Sequence, residues 1–383
     1  MNRLPSWLVA LGAAGTTLIA SSPAFALNGP TNIEIDGGPL GPLEMSGGVD
    51  GYFYAKTGTD QNTAGDKAAG SVLNNIEIQL QKNTGEIRFD LQIAGYSGYV
   101  LGSPYPKQAN FNHFTTGPIR NAYVSYVPNS HLTVSVGQMA SLEGYESTFA
   151  WNNTTGFTTA LYEVTNSESR GVSATLTEGP ASLQVMYGDG NDTGVFNFVQ
   201  FLGTYNFSAT DNLNIFGGIH LATTGPNAYY YGQDTVGDNN SIYVNSNIFG
   251  AYYTGVFGNL MLTPEIQYQY ASPNHRYSSD VIPKETSNFG AALFGDYAFG
   301  KSPYSIGAWA EYWTSHGSAS GDNWFITPNA ELVGFTVAPT WQYKDLYLRA
   351  NAGYLHLLNG TAYGNDKSGT DQLMGTMEAG LVF

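Results

Sequence analysis

The chain has 383 residues, no cysteine and a formal net charge of −16 at pH 7. Such acidity argues against nucleic acid as a partner, because that affinity rests on Lys and Arg neutralising phosphates. With no cysteine there is no disulfide framework. The 47 Gly, 27 Tyr and 20 Phe beside only 11% charged residues suit many strands and tight turns rather than a disordered acidic tail.

At the amino end, Arg3 precedes an apolar stretch from about Trp7 to Ala20, and Pro23-Ala24-Phe25-Ala26 supplies the small-x-small pattern of a signal-peptidase site. The reading is a signal peptide over 1–26 with Leu27 as the mature start. The competing membrane anchor is disfavoured, because the apolar run is short and rich in Gly, Ala and Thr. No later stretch approaches the roughly 20 apolar residues of a transmembrane helix. A chain of this kind that enters a membrane does so with strands.

A short periplasmic segment is expected over 27–42, and a single barrel domain over 43–383. Strands are predicted near 43–54, 74–82, 86–95, 117–127, 132–139, 168–177, 181–188 and 198–207. Eight more follow near 213–221, 242–257, 260–270, 286–299, 304–313, 329–343, 346–356 and 372–383. Short joints such as Asn83-Thr84-Gly85, Thr210-Asp211-Asn212, Gly258-Asn259 and Lys344-Asp345 alternate with long ones, of which 140–167 is the longest. Gly, Asn, Asp and Pro supply the backbone angles that tight hairpins need. Short turns on one side and long loops on the other are the rhythm of an outer-membrane barrel with an even number of strands. The predicted fold is therefore all-β, a closed antiparallel transmembrane β-barrel of about sixteen strands, one hairpin more or fewer.

Period-two alternation assigns the faces. Ile76, Ile78 and Leu80 alternate with Glu77, Gln79 and Gln81, and Ile87, Phe89 and Leu91 with Arg88 and Asp90. In a barrel the apolar set meets lipid and the polar set lines the lumen, and the sheet must close because hydrocarbon satisfies no backbone group. The last strand carries Leu373, Gly375, Met377, Ala379, Leu381 and Phe383 on one face and Glu378 on the other, so it should pair with the first strand. Tyr126, Phe207, Phe299, Tyr304, Tyr343 and Phe383 gather beside the short turns, as an interfacial girdle would.

Two stretches carry a resemblance. Leu43-Glu44-Met45-Ser46-Gly47-Gly48-Val49-Asp50-Gly51-Tyr52-Phe53 resembles the first strand of the OmpL-like putative β-barrel porin family, and Asn74 to Lys82, with the following hairpin, resembles its second and third strands. Ala122-Tyr123-Val124-Ser125-Tyr126 followed by Val136-Gly137-Gln138-Met139-Ala140-Ser141-Leu142-Glu143-Gly144-Tyr145-Glu146 is similar to the family's strand, Gly-x-x-Ala-Ser/Thr segment and Gly-Tyr-Glu. The resemblance implies a passive channel for small hydrophilic solutes in the outer membrane of a Gram-negative envelope. It also implies lipid and lipopolysaccharide as neighbours, insertion by the barrel-assembly machinery through the strand ending at Phe383, and, by analogy with general porins, a homo-oligomer.

The lumen face is predicted to carry Glu44, Asp50, Glu77, Asp90, Glu265, Glu311 and Glu378 against Arg88 and Arg349. An acidic lining favours cations, so a modest cation preference is expected. In sixteen-stranded general porins the third external loop folds inward; here that loop is 140–167, with Glu143, Tyr145, Glu146, Trp151, Tyr162 and Glu163. Its alternative is a surface loop with solvated acids. The main rival to the channel is a closed structural or adhesive barrel.

No enzymatic constellation emerges. The six His residues show no metal-ligand spacing, and neither a cofactor nor a metal is expected. In His356-Leu357-Leu358-Asn359-Gly360 the position that an outer-membrane phospholipase fills with Ser is Leu358. Gly188-Asp189-Gly190-Asn191-Asp192, Gly237-Asp238-Asn239-Asn240 and Gly364-Asn365-Asp366 read as Asx turns rather than calcium loops.

Overall fold

The structure, a computed structural model, describes residues 27–383 except 28, 105, 107, 110–117, 167, 231–233, 236–240, 274–281, 283 and 318–323. The expected signal peptide and the Gly237–Asn240 word lie outside the described residues.

Sixteen strands close into one antiparallel ring. The first four are β1 (Pro42–Lys56), β2 (Ala69–Lys82), β3 (Ile87–Tyr96) and β4 (Ile119–Asn129). They are followed by β5 (Leu132–Ala140), β6 (Glu168–Glu178), β7 (Ala181–Gly188) and β8 (Phe198–Asn206). Next come β9 (Asn212–His220), β10 (Asn247–Phe257), β11 (Leu260–Ala271) and β12 (Thr286–Ala298). The last four are β13 (Tyr304–His316), β14 (Glu331–Tyr343), β15 (Leu346–Asn359) and β16 (Asp371–Val382). Each pairs with its chain neighbour, and the number matches the sequence expectation.

Closure falls where the terminal alternation required it. β16 pairs with β1 from Met374 opposite Lys56 to Val382 opposite Gly48. Beyond that register, Gly47 N–H donates to the Phe383 carbonyl at 2.8 Å and Phe383 N–H donates to the Gly47 carbonyl at 2.9 Å. No edge of the ring is left open, as a sheet in hydrocarbon requires. Outside the ring, the short strand Ile33–Asp36 pairs with Pro42–Met45, and Tyr229–Tyr230 pairs with Asp234–Thr235 as a separate two-stranded sheet.

The faces follow the period-two pattern. Phe53, Ile78, Val136, Ile266, Leu293, Phe335 and Met377 are exposed on the outside, while Glu77, Asp90, Glu265, Glu311, Arg349 and Glu378 are buried on the inside. A soluble sheet would show the reverse, since large apolar side chains are placed outward only where lipid receives them. Turn chemistry also holds: Gly85 (φ 81°) and Gly258 (φ 67°) take positive angles, and in the Lys344-Asp345 turn Lys344 itself adopts φ 53°.

Two features depart from the sequence reading. A four-residue α-helix, α1 (Ala160–Glu163), sits in the longest loop, where no helical period was visible. Several external loops also turn into the barrel. Tyr99, Leu101, Phe157, Leu161, Trp324 and Phe325 join Trp309, Trp313 and Leu355 of the wall in one apolar cluster. The sequence signal was the apolar triplets Tyr99-Val100-Leu101, Ile242-Tyr243-Val244 and Trp324-Phe325-Ile326 within otherwise polar loops.

Candidate functional site

The segment 140–167 leaves β5, crosses the lumen and returns at β6. Its path is fastened by wall side chains that alternation points inward. At its root, Leu142 N–H donates to Gln200 Oε1 at 2.9 Å. Tyr145 N–H donates to Glu265 Oε1 at 3.2 Å, and Ala160 N–H to Glu311 Oε2 at 2.8 Å. Gln267 and Gln269 donate to the carbonyls of Leu161 and Val164 at 3.2 and 2.9 Å. Trp309 Nε1 donates to Thr155 Oγ1 at 2.9 Å and the Phe157 carbonyl at 2.8 Å. Thr154 donates to Asp296 at 3.0 Å, and Gly156 N–H to Asn351 at 2.8 Å. A loop without internal ladders must find such partners, because unpaired buried backbone groups are costly.

The strongest fastening is ionic. Arg349 is 1% exposed and pairs with Glu378 through Nη2 to Oε1 (2.8 Å) and Nε to Oε2 (3.0 Å). Its Nη2 and Nη1 also donate to the carbonyls of Ala150 and Asn153, at 2.9 and 3.2 Å. Tyr347 OH donates to Glu378 Oε1 at 2.8 Å and lies 3.2 Å from Asp50 Oδ2, which also accepts from Asn74. The guanidinium thus joins β15 and β16 to the crossing loop, and Tyr347 extends the network to Asp50 of β1. Planar, five-donor Arg suits this role, whereas Lys could not reach both sides at once.

Close approach also needs small residues in the wall. A Cβ on Gly307 would collide with the Thr154 carbonyl oxygen, so a glycine there lets the loop backbone approach β13 closely.

The predicted site residues distribute unevenly. Glu265, Glu311, Arg349 and Glu378 all meet the loop. Glu77 accepts from Gln92, and Asp90 from Gln79 and Gln81, away from it. Arg88 sits at the periplasmic rim, where its Nε donates to the Gly85 carbonyl at 3.1 Å. Within the loop, Glu143 accepts from Asn166 N–H at 2.9 Å and Glu146 from Thr159 N–H at 3.0 Å. Burial pushes both carboxyls up to about 8, against the lowering effect of those donors. Both are therefore largely protonated at neutral pH. The half-buried Tyr145 packs its ring 5.6 Å from Tyr252 and 4.9 Å from Phe294. Trp151 is buried, stacked on Phe149 at 5.2 Å and packed with Leu27, Tyr347 and Val382. Glu163 is exposed.

Glu143, Gly144, Tyr145, Glu146, Leu161, Tyr162, Thr165, Glu265 and Gln267 line a narrow crevice between the loop and β11, too tight for a water molecule. Sequence reasoning missed Gln267, Gln269, Trp309, Asn351 and Thr155. Alternation put the wall residues inside, but nothing local tells a lumen-facing amide from one holding a loop. Among the described residues, no group of three His, Asp or Glu could hold a metal ion. His356 stands near a strand end with Nδ1 2.8 Å from Asp371 Oδ1. The Gly364-Asn365-Asp366 word forms the expected Asx turn, Asp366 Oδ1 accepting from Ser368 N–H at 3.2 Å.

A closed, even-stranded antiparallel barrel that is apolar outside and polar inside, with a long loop drawn inward, defines the porin class of outer-membrane proteins. The chain belongs to the family described as "Putative beta-barrel porin-2, OmpL-like", whose sequence model matches residues 42–383. No curated protein matches the chain.

Similar solved structures include the anion-selective porin from Comamonas acidovorans, with TM-score 0.58 and 11% identity over 89% of this chain and 99% of that one. The trimer form of OmpT from Vibrio cholerae has TM-score 0.55 and 10% identity, covering 89% of this chain and 99% of that one. OmpF of Salmonella typhi, in complex with daunomycin, has TM-score 0.54 and 13% identity, covering 92% and 100%. At such identities the likeness establishes the fold. Family and fold together make this an outer-membrane porin channel and point away from an enzyme.

Proposed function

We propose that the protein is a passive diffusion channel for small hydrophilic solutes, sieving them through the space left beside the inserted loop, with a weak cation preference. The observation that carries this is the crossing of a polar-walled barrel by 140–167, which narrows the lumen.

Glu143, Tyr145, Glu146 and Glu163 supply the constriction, and Trp151 anchors it against the seam. Glu77, Arg88, Asp90, Glu265, Glu311, Arg349 and Glu378 belong to the wall. Most of these acids are engaged in holding the loop or neighbouring amides, and Glu143 and Glu146 are largely neutral. Charge selectivity is accordingly weak, and exposed Glu163 contributes most to it. In the same proposal, residues 1–26 are removed on export and the barrel assembles through its terminal strand into the lipid and lipopolysaccharide of the outer membrane. A homo-oligomer is consistent with the trimer form of the similar OmpT.

Planar-bilayer recording tests the channel. Discrete conductance steps with a small cation-directed reversal potential are expected, and Glu163→Gln should reduce that potential. Anion selectivity in the unmodified protein would defeat the preference. The rival reading, a closed structural barrel, is favoured by the packing of the lumen from β11 to β16. It would appear as a folded, heat-modifiable barrel that conducts nothing.

A further inference from the structure

Among the described residues, one side of the lumen wall is closed to solvent. From Met261 in β11 to Val382 in β16, every lumen-facing strand residue is buried apart from Ala298 and Gln342 at the periplasmic rim. Segment 150–156 fills that side, held by Asp296, Arg349, Asn351 and Trp309. Opposite it, the periplasmic half of β6 to β10 keeps lumen-facing residues half-buried: Thr175, Ser182, Gln184, Thr204, Asn212 and Tyr252. The loop meets this wall near its two ends, through Leu142 on Gln200, Glu143 against Gly218, Tyr145 against Tyr252 and Asn166 on Ser169, and leaves the other half-buried residues uncovered.

The two walls also differ in charge. The lumen face of β11 to β16 carries Glu265, Asp296, Glu311, Arg349 and Glu378. On β6 to β10 that face carries no Asp, Glu, Lys or Arg below Glu168, which pairs with Arg120 at the external end. Its polar groups are hydroxyls and amides, tied loosely across strands: Gln184 donates to Ser173 at 3.0 Å and Thr204 to Asn214 at 2.7 Å. At the mouth, half-buried Glu44 and Arg88 are opposite in sign.

We propose that solutes cross the periplasmic half of the lumen along the uncharged β6–β10 wall, which favours uncharged hydroxylated solutes, of the saccharide or polyol class, over ions of similar size. The inference rests on the channel reading above and specifies its substrate class. A hydroxylated solute exchanges its water hydrogen bonds for ones of similar strength with Ser, Thr, Asn and Gln, so its transfer costs little. An ion leaving bulk water for the same wall meets no compensating charge and keeps its desolvation cost.

The cysteine-free chain permits a direct test. Gln184→Cys and Thr204→Cys mark the proposed path, and Thr340→Cys and Ala338→Cys mark the packed side. Each refolded channel is treated during recording with a thiol-reactive trimethylammonium reagent. Partial loss of conductance and a shift toward anion preference are expected at 184 and 204, with no change at 340 and 338. The reverse pattern, or silence at all four positions in a conducting channel, would overturn the path. Liposome swelling with the unmodified protein tests the substrate class without any variant. A neutral disaccharide should enter faster than an anionic or cationic solute of equal size, and equal or slower entry would overturn the class. A wild-type barrel with no conductance at all would instead mean that the channel reading itself has failed.

Discussion

The β11–β16 wall and the β6–β10 wall come from the same alternation of apolar and polar residues, yet one is packed and charged and the other open and neutral. The difference lies in what meets them. On the packed side, buried Glu265, Asp296, Glu311 and Arg349 are tolerated because each has a hydrogen-bond partner in the loop, and Glu378 because it pairs with Arg349. On the open side water serves as partner, and hydroxyls and amides suffice. Charge on the β11–β16 wall is therefore mainly a device for holding a loop, which is the opposite of what a count of inward acids suggests.

Removing the central partner should break the packed side most severely. Arg349→Met leaves Glu378 and Asp50 buried without their cation and frees the Ala150 and Asn153 carbonyls. A loss of about 3 kcal/mol is expected in denaturant unfolding from lipid vesicles, with noisier channel openings. An unchanged unfolding midpoint would mean that the ion pair does not hold the loop.

Gly307→Val attacks the same contact sterically and changes no charge. The side chain would push against the Thr154 carbonyl oxygen, and overpacking of this kind costs on the order of 2 kcal/mol. Trp309 fluorescence should shift as its bonds to Thr155 and Phe157 are lost.

Protons offer a gentler perturbation. Glu143 and Glu146 have carboxyls raised from 4.5 to about 8 when the loop is seated. A released loop would lose those protons near 4.5, so seating is favoured fully below that pH and weakens as pH rises through about 8. Recordings above that pH should show stronger cation preference and more frequent fluctuations than recordings at pH about 6. A flat profile would indicate that these acids are already ionised.

On the open wall, Thr204→Ala removes one bond to Asn214 that water can replace. A stability change within about 0.5 kcal/mol is expected. A loss comparable to that of Arg349→Met would erase the contrast between the two walls.

Much of the fold was legible. All sixteen strands appear, with ends displaced by only a few residues in most, because period-two alternation and the turn chemistry of Gly, Asn and Asp are local properties. The site was legible in part. The longest joint was singled out with its acids, and the wall acids were placed on the lumen face. Which amides and indoles would hold the loop was not legible, since Gln267, Gln269 and Trp309 carry the same pattern as any inward residue. The small helix Ala160–Glu163 escaped for a related reason: four residues are too few to display a period.

Alone, the chain determined the number of strands, which face meets lipid, and the closure of β16 on β1. Each follows from residues that are neighbours in sequence or alternate along a strand. Only the tertiary structure decided which side of the lumen the loop fills. That choice depends on Arg349 finding carbonyls as far as 199 positions away, and on Gly307 leaving room for Thr154. Such partners carry no shared periodicity, so only the folded chain brings them together.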